Sequence, residues 1–349
     1  MSAAQRRGAL VGCGFFAENH MHAWAGIEGI EIVALCDLDH EKSRRMAAQF
    51  DVARVYTDVA RMLAANDLDF LDVATTAPSH RPIVELACQH VDLVVCQKPF
   101  AETMKDAQAM VAAADNAGTK LVVHENFRWQ KAFMVMKDLV DNNRIGTPHF
   151  ARFSFRHGYD NYKNQPYLAE IERFSLMDVG LHLFDLARHF MGNVTRISCA
   201  TQSVNPIVRG EDVFTALLTH ESGATSVCDC SFFAKLDPEP FPQTAAWIEG
   251  SEGTLELGTD FRLALHSKGS REVFDVEPAV PPWGGCPWHN VQDSVINFQT
   301  HVAAILTGEA EPRPSGRDNL ETLALALAAY DSAARGQTVE MPRWVEERA

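Results

Sequence analysis

Short, continuously apolar segments alternate with helical patterns through the first 126 residues, and this alternation constrains the fold more than any other feature. The apolar segments are residues 8–12, 31–37, 54–57, 70–76, 92–98 and 121–126. Strands that are apolar throughout are covered on both faces, and helices between them impose parallel pairing through right-handed crossovers. We therefore predict an α/β domain at residues 1–126, built on a doubly wound parallel sheet.

After residue 145 the pattern changes to strand-like segments separated by turn residues. They are residues 149–156, 196–203, 213–220, 225–233, 244–249 and 253–257, and residues 221–224 have the composition of a hairpin turn. The 349-residue chain also exceeds the roughly 100–200 residues of one ordinary domain. We predict a C-terminal α+β domain at residues 127–349 with a large, mostly antiparallel open sheet, an irregular loop at 278–288 and a final helix at 319–336.

The charge balance excludes two classes of partner. The chain has 46 acidic and 31 basic residues, a net charge of −15, and no Lys/Arg-rich run that would bind nucleic acid or an anionic membrane. No apolar segment approaches the ~20 residues that span a bilayer, and the apolar stretch after Arg6-Arg7 lacks a signal-peptide cleavage site. Eight cysteines without a C-x-x-C pair indicate buried thiols in a reducing compartment, so we expect a cytoplasmic protein.

A glycine-rich turn follows the first predicted strand. Its sequence is Gly12-Cys-Gly14-Phe15-Phe16-Ala17, a G-x-G-x-x-A pattern whose glycines allow a tight turn and close approach of a pyrophosphate to a helix amino terminus. Asp37 ends the second strand, where a carboxylate accepts hydrogen bonds from a ribose 2′-hydroxyl and repels a 2′-phosphate. The turn predicts a Rossmann domain that binds NAD rather than NADP. Another nucleotide-binding fold, such as a methyltransferase, is the alternative.

Lys98 ends another predicted strand and is followed by Pro99. Ligands bind beyond the carboxyl ends of parallel strands, so a cation there faces the ligand crevice, and the following proline keeps Lys98 extended. Lys98 is therefore a candidate catalytic residue. The alternative is a lysine on an ordinary solvent-exposed loop.

Four polar residues recur at intervals of four, three and four along a predicted helix at residues 175–191: Asp178, His182, Asp185 and His189. At 100° per residue they form one narrow stripe between two apolar faces, which indicates the lining of a cavity rather than a solvent face. A histidine accepts a proton near neutral pH, and an aspartate one turn away can orient its ring. The alternatives are a core histidine with satisfied hydrogen bonds and a metal site. We expect no metal, because no third ligand is placed.

Four motifs together resemble the Gfo/Idh/MocA family of sugar and cyclitol dehydrogenases. They are Gly12-x-Gly14-x-x-Ala17, Thr76-Ala-Pro78-Ser-His80, Gln97-Lys98-Pro99 and Asp178-x-Gly180-x-His182-x-x-Asp185. Each motif alone is weak, but their order and spacing match the family across nearly the whole chain. One residue departs from the family pattern: Gln97 stands where the family usually has a glutamate.

The resemblance implies a role for each matching residue. Lys98, Asp178 and His182 take the catalytic positions and contact the substrate, together with Arg128 and Arg156. The implied cofactor-binding residues are Gly12, Gly14, Phe15, Phe16, Asp37, Thr76, Pro78, His80, Gln97, Lys98 and Asn126. The implied reaction is hydride transfer from a sugar carbinol carbon to NAD, with His182 accepting the hydroxyl proton and Lys98 bonded to the same oxygen.

Residues 12–24 and 124–129 resemble the D-apiose dehydrogenase branch of the family, and this resemblance narrows the range of candidate substrates. That branch implies oxidation of a furanose hemiacetal to a lactone. Three alternatives stay open: another cyclitol or sugar-acid dehydrogenase, a reductase running the reaction in reverse, and a non-catalytic regulator that binds NAD.

The segment 213–219 of the second domain is apolar on both faces of a strand. Val213 and Leu217 share one face, and Phe214, Ala216 and Leu218 share the other. Because large exposed apolar patches mark interfaces, we predict a homodimer or homotetramer joined through this sheet. The alternative is that helices of the same chain cover both faces.

Overall fold

The computed structural model describes residues 5–347. The chain forms two compact units. One comprises Val295–Leu320 and the described residues of Met1–Glu125, and the other comprises Asn126–Ser294 and the described residues of Glu321–Ala349. The first four residues of the predicted domain 1–126 and the last two of 127–349 lie outside the described residues. The boundary at residue 126 stays a prediction. The structure adds that a segment distant in sequence, Val295–Leu320, packs with the first unit.

The first unit contains a parallel sheet in the order β3-β2-β1-β4-β5-β6, which confirms the predicted doubly wound sheet. Its strands are β1 (Arg6–Val11), β2 (Ile30–Cys36), β3 (Arg54–Tyr56), β4 (Phe70–Val73), β5 (Leu93–Gln97) and β6 (Lys120–His124). The central strands β4 and β5 are buried along their whole length, as expected for continuously apolar sequences. The strand order reverses between β1 and β4, and ligands bind at such a switch point.

Helices connect these strands: α1 (Ala17–Ala25), α2 (His40–Phe50), α3 (Val59–Ala65), α4 (His80–Ala87) and α5 (Met104–Ala117). Three of these helices begin at an Asp or Thr whose side chain caps the first turn. Asp39, Asp58 and Thr103 accept hydrogen bonds from backbone N–H groups in the first turns of α2, α3 and α5.

The second unit contains a sheet in the order β14-β13-β12-β11-β7-β10-β9-β8-β15. Its strands are β7 (Pro148–Arg156), β8 (Val194–Gln202), β9 (Val213–His220), β10 (Thr225–Ser231), β11 (Ala245–Gly250), β12 (Gly253–Leu257), β13 (Arg262–Ser267), β14 (Ser270–Asp275) and β15 (Val339–Glu340). Strands β7 and β10 pair in parallel, and the other neighbouring strands named here are antiparallel. This confirms the mostly antiparallel sheet.

The helices of the remaining chain are α6 (Lys131–Asp141), α7 (Leu181–Met191), α8 (His289–Thr307), α9 (Gly316–Arg335) and α10 (Met341–Glu346). Helix α7 packs on β7 and β10. The sequence predicted one continuous α-helix over residues 175–191, but the structure begins that segment with a π-helical turn at Leu176–Gly180. None of the helices described here is long and apolar enough to cross a membrane.

Candidate functional site

The turn after β1 has the geometry that a dinucleotide requires. Gly12 has a φ of +94°, and a Cβ there would lie 2.8 Å from the backbone of Ala74, so only glycine fits. A Cβ at Gly14 would meet no atom of the described residues within 4 Å. The backbone is therefore tightly packed at the first glycine of the turn, and there is space for a ligand beside the second.

Helix α1 begins directly after this turn, with Phe16 at its N-cap position. No side chain among the described residues caps its first turn, so no side-chain acceptor there competes with an anion for the backbone N–H groups. The helix dipole adds a partial positive charge at this end. Phe15 is exposed beside the turn and Phe16 is half-buried. A turn of this kind suits the pyrophosphate of a dinucleotide.

Asp37 is held against the same turn. One carboxylate oxygen accepts a hydrogen bond from the Cys13 N–H at 2.6 Å, and the other accepts from the Asp39 N–H at 2.8 Å. The side chain is half-buried, at the end of β2. Burial and the nearby Asp37 charge raise the pKa of Cys13 to about 12, so this cysteine is a neutral thiol. The negative charge at the turn therefore belongs to Asp37.

The three predicted cofactor residues in the segment after β4 differ in their exposure. Thr76 and Pro78 are exposed. His80 is buried, with one ring nitrogen 3.0 Å from the Thr75 carbonyl oxygen and the other 3.1 Å from that of Phe100. Burial lowers the pKa of His80 despite these contacts. The ring connects two loops of the unit, and its role at the cofactor stays a prediction.

Lys98 lies directly after β5 and is half-buried. The preceding Gln97 is buried, and its side-chain oxygen accepts a hydrogen bond from the Lys98 backbone N–H at 2.7 Å. Lys98 therefore sits at the carboxyl edge of the parallel sheet, and its peptide group is held by the side chain before it. Its catalytic role stays a prediction.

In the second unit, Asp178 lies on the π-helical turn and His182 on the first turn of α7. The turn is held by buried Glu211, which accepts hydrogen bonds from the Leu176 N–H at 2.9 Å and the Tyr330 hydroxyl at 2.7 Å. An i→i+5 turn changes the angular spacing of Asp178 and His182 from that of an α-helix, and π turns are common at functional sites. Gly180 lets this turn pack tightly on Phe214 of β9, since a Cβ there would lie 3.3 Å from its ring.

The His182 ring is buried and stacks face to face on Phe127, with centroids 4.0 Å apart and an interplanar angle of 5°. This contact fixes the plane of the imidazole. Phe127 follows Asn126, whose side-chain amide donates to the Ser294 hydroxyl at 2.7 Å. Asn126 was predicted on the last strand of the parallel sheet, but β6 ends at His124 and Asn126 lies beyond it.

Arg128 and Asp185 form a buried ion pair. The Arg128 guanidinium donates to both carboxylate oxygens of Asp185, at 2.7 and 2.5 Å. The pair connects the turn that carries Phe127 to helix α7, which carries His182. Arg128 was predicted to bind substrate and Asp185 to line a cavity with Asp178 and His182. The structure shows the two residues paired with each other, and the contact of Arg128 with substrate stays a prediction.

Arg156 lies on the opposite face of β7 from the buried Phe153 and Phe155. Its guanidinium donates to Asp229 at 3.0 Å, and Arg152 donates to the same carboxylate at 2.9 Å. Helix α7 packs on the Phe153 face, where the Phe153 and Phe190 rings stack 5.8 Å apart. The contact of Arg156 with substrate stays a prediction.

His157 was missed by the sequence analysis. Only 1% of it is exposed, and its Nδ1 accepts a hydrogen bond from the Tyr159 N–H at 3.2 Å, so the proton of the neutral ring is on Nε2. Within residues 5–347 that Nε2 has no hydrogen-bond partner. Burial lowers the pKa of His157 to about 4, and the charge of Asp178 opposes this shift. A neutral N–H donor thus lies within electrostatic range of Asp178. The one signal for it in the sequence is its position directly after a predicted strand.

Comparison with known proteins gives a consistent result over the whole chain. Residues 6–125 match the model of the GFO/IDH/MocA oxidoreductase family, described as an NAD-binding Rossmann fold, and residues 133–256 match that of the GFO/IDH/MocA C-terminal domain. A D-apiose dehydrogenase of Paraburkholderia graminis is 51% identical over 96% of this chain and 89% of its own length. Another, of Rhizobium rhizogenes, is 45% identical over 98% of this chain and 99% of its own.

A solved structure also matches closely. It is the crystal structure of an oxidoreductase from Agrobacterium radiobacter in complex with NAD+, L-tartaric acid and magnesium. The two chains are 45% identical and superpose with a TM-score of 0.95, over 97% of this chain and 99% of that one.

The position of Asp37 predicts a cofactor preference. We expect kcat/KM to be at least about tenfold higher with NAD than with NADP, since the carboxylate repels a 2′-phosphate and tenfold corresponds to ~1.4 kcal/mol. Steady-state assays with both cofactors on one substrate measure this ratio. Asp37→Ser should reduce it, whereas Asp67→Ser, at an exposed position of the same unit, should not. Equal values for the unaltered protein would refute the prediction.

The Arg128–Asp185 pair predicts a large loss of stability in Asp185→Asn. Removing one partner of a buried ion pair leaves an uncompensated charge, which typically costs about 3–5 kcal/mol. Urea unfolding, followed by the fluorescence of the second unit's tryptophans, measures the change. Asp138→Asn removes the same charge at an exposed position of α6 and should change the free energy of unfolding by less than ~0.5 kcal/mol. Similar losses for the two variants would contradict the predicted cost.

Proposed function

Because the chain belongs to the GFO/IDH/MocA family of NAD-binding oxidoreductases, we propose that it oxidises the hemiacetal carbon of a furanose aldose, D-apiose, to the lactone. The observation that carries this proposal is the 51% identity to a D-apiose dehydrogenase over 96% of the chain, both units included. A second D-apiose dehydrogenase at 45% identity supports the same substrate.

The residues of the first unit suit the cofactor. The turn at Gly12 and Gly14 and the uncapped start of α1 would hold the pyrophosphate, and Asp37 would bind a ribose. Bound NAD supplies the hydride acceptor. The chain's own contribution is to orient the substrate hydroxyl and to take up its proton.

We assign the proton uptake to His182. Its ring is buried and stacked on Phe127, so the plane of the imidazole is set before a substrate binds. As the C–H bond of the hemiacetal carbon breaks, the hydroxyl proton passes to the imidazole and the carbon–oxygen double bond of the lactone forms. Asp178, on the turn before His182, would fix either the imidazole or a neighbouring hydroxyl.

Lys98 is assigned a hydrogen bond to the reacting oxygen and a share in the proton relay. A cation that hydrogen-bonds a developing alkoxide lowers the energy of the transition state, since the charge appears only as the reaction proceeds. The neutral Nε2–H of His157 is a further donor for a substrate oxygen. It is added to the proposed substrate-binding set, in which Arg128 and Arg156, each paired with an aspartate, are kept as predictions.

The cysteines bear on the cellular location of the protein, and its net charge bears on its partners. Each of the eight cysteines is a free thiol, and six of them are buried. We propose a cytoplasmic protein on this basis, because a reducing compartment preserves such thiols. With a net charge of −15, neither nucleic acid nor an anionic membrane is proposed as a partner.

We also propose self-association through the outward face of the nine-stranded sheet. Pairing register places Trp247, Arg152, Val227 and Leu217 in one row across β11, β7, β10 and β9. Leu217 is 50% exposed and Trp247 is 37% exposed, whereas Phe214, Ala216 and Leu218 on the other face of β9 are fully buried. A flat sheet face with exposed apolar side chains is typical of a subunit interface.

The proposed reaction is tested by an NAD reduction screen. With D-apiose we expect kcat/KM at least about tenfold above that for myo-inositol, D-ribose and a sugar acid, because the hemiacetal carbon of a branched furanose reacts and tenfold corresponds to ~1.4 kcal/mol. Activity confined to a cyclitol or a sugar acid would show that D-apiose is not the substrate. No NAD reduction with any of them, by protein that binds NADH, would favour a non-catalytic regulator.

The assignment of Lys98 and His182 predicts that Lys98→Ala and His182→Ala each lower kcat by about 10²–10⁴-fold, the usual contribution of an acid–base group. NADH affinity, measured by fluorescence titration, should change much less. Lys105→Ala and His149→Ala are matched controls at exposed positions of the same two units and should keep full activity. A variant of Lys98 or His182 with near-normal kcat would remove that residue from the mechanism.

The interface proposal predicts a mass in solution of at least twice the 38.6 kDa of one chain, because the row of exposed apolar groups on the sheet needs a partner surface. Light scattering at micromolar concentration measures it. Leu217→Glu should lower the mass to that of one chain, whereas Leu38→Glu, at a 94% exposed position of the first unit, should leave it unchanged. A single-chain mass for the unaltered protein that stays constant on concentration would show that the sheet has no partner.

A further inference from the structure

Three buried side chains of the first unit form a hydrogen-bonded chain that ends at the Lys98 backbone. Asp72 lies on β4, His20 on α1 and Gln97 at the end of β5. The Asp72 and His20 side chains are fully buried, and Gln97 is 8% exposed. His20 Nδ1 lies 2.9 Å from an Asp72 carboxylate oxygen, and His20 Nε2 lies 3.1 Å from the Gln97 side-chain nitrogen. The same Asp72 oxygen accepts from the Trp24 indole N–H at 2.7 Å.

The direction of each hydrogen bond follows from one fixed donor. The Lys98 backbone N–H can only donate, so the Gln97 atom 2.7 Å from it is the amide oxygen. The Gln97 NH2 group therefore faces His20, and it too can only donate. His20 Nε2 must then be an unprotonated acceptor, and the ring proton lies on Nδ1 and is donated to Asp72. This assignment makes His20 neutral.

The other neighbours of the His20 ring are aromatic. His124 of β6 stacks on it with centroids 4.3 Å apart, and Phe16 approaches it edge-on at 5.6 Å. Asp72 and His124 are thus the titratable groups beside His20 among these contacts. The ring is stacked on one face and hydrogen-bonded at both nitrogens, and it cannot turn over without breaking two hydrogen bonds.

A glutamate in place of Gln97 is chemically incompatible with this arrangement. A carboxylate accepts hydrogen bonds from Lys98 and from a histidine but cannot donate to one. The substituted side chain would face His20 only if one more proton were bound, either on the imidazole or on the carboxylate itself. The amide of Gln97 makes the same two contacts with no added proton.

We propose that His20 and Gln97, anchored by Asp72, are positioning residues for Lys98, and that Gln97 holds His20 as the neutral Nδ1–H tautomer. His20 locks the Gln97 amide, and Gln97 holds the Lys98 peptide group at the edge of the sheet. Because His20 is on the helix that follows the Gly12 turn, this series of hydrogen bonds connects the cofactor turn to Lys98. The functional part of this inference rests on the proposed catalytic role of Lys98.

The tautomer is tested on the full-length protein labelled with 15N-histidine. At pH 7, long-range 1H–15N spectra should show His20 with a protonated Nδ1 and an unprotonated Nε2. The signals are assigned by a cross-peak between His20 Hδ1 and Trp24 Hε1, since both hydrogens are donated to one Asp72 oxygen. An imidazolium or an Nε2–H tautomer at this position would overturn the proposal. This measurement needs no substrate, so its result is independent of the proposed reaction.

Gln97→Glu provides the second test, with Gln89→Glu as a matched control at an exposed position of the same unit. At pH 6, the added proton of Gln97→Glu should lie either on His20 or on the introduced carboxyl group. In the first case the signal of an unprotonated His20 Nε2 disappears. In the second case that Nε2 accepts a hydrogen bond from the protonated carboxyl group. The kcat of Gln97→Glu on D-apiose, relative to unaltered protein, should be lowered at least about fivefold more at pH 9 than at pH 6. The added proton is bound at low pH and lost as pH rises, which leaves the introduced carboxylate facing the unprotonated Nε2 of a neutral ring with no hydrogen between them. Gln89→Glu should keep a constant ratio.

The outcomes separate the two proposals. If Lys98→Ala retains full activity while His20 has the expected tautomer, the proposed role of Lys98 fails and the hydrogen-bond assignment stands. A constant kcat ratio for Gln97→Glu across pH 6–9, in a protein where Lys98→Ala is inactive, would overturn the positioning role.

Discussion

The close approach of the backbone at Gly12 to Ala74 is the constraint on which the first unit depends. A positive φ and a distance of 2.8 Å from an absent Cβ to the neighbouring strand leave glycine as the one residue that fits. The turn sets the direction of α1, and that direction brings His20 and Trp24 to Asp72 of β4. From there the buried contacts continue through Gln97 to Lys98. A steric requirement at the start of the chain therefore determines how a candidate catalytic lysine is held.

In the second unit, hydrogen bonds to buried carboxylates hold the polar residues in place. Glu211 accepts hydrogen bonds that the start of the π-helical turn would otherwise leave unsatisfied, and Arg128 neutralises Asp185 on α7. Both contacts act on the segment that carries Asp178 and His182. Buried charges are costly unless they are paired and hydrogen-bonded, so each pairing makes one arrangement of this segment much more favourable than others.

Several residues with plausible chemistry in the sequence turn out to have structural partners. Arg128 and Arg156, which the family resemblance implies as substrate ligands, are each paired with an aspartate. The reverse holds for His157. Two of the rings around it, Phe232 and Phe241, are far away in the sequence, and its Nε2 has no hydrogen-bond partner within the described residues. A sequence pattern alone does not reveal a partner on another strand or helix.

The sequence by itself determined the two kinds of sheet, the glycine turn with Asp37, and the placement of Lys98 at a strand end. These features depend on short-range properties: apolar runs, turn residues and the freedom of glycine are readable within a few positions of the chain. The tertiary structure decided the π-helical turn under Asp178, the pairing of Arg128 with Asp185, the neutral state of His157 and the tautomer of His20. Each of these depends on burial and on donors or acceptors supplied by distant segments, and only the folded chain brings such groups within hydrogen-bonding distance.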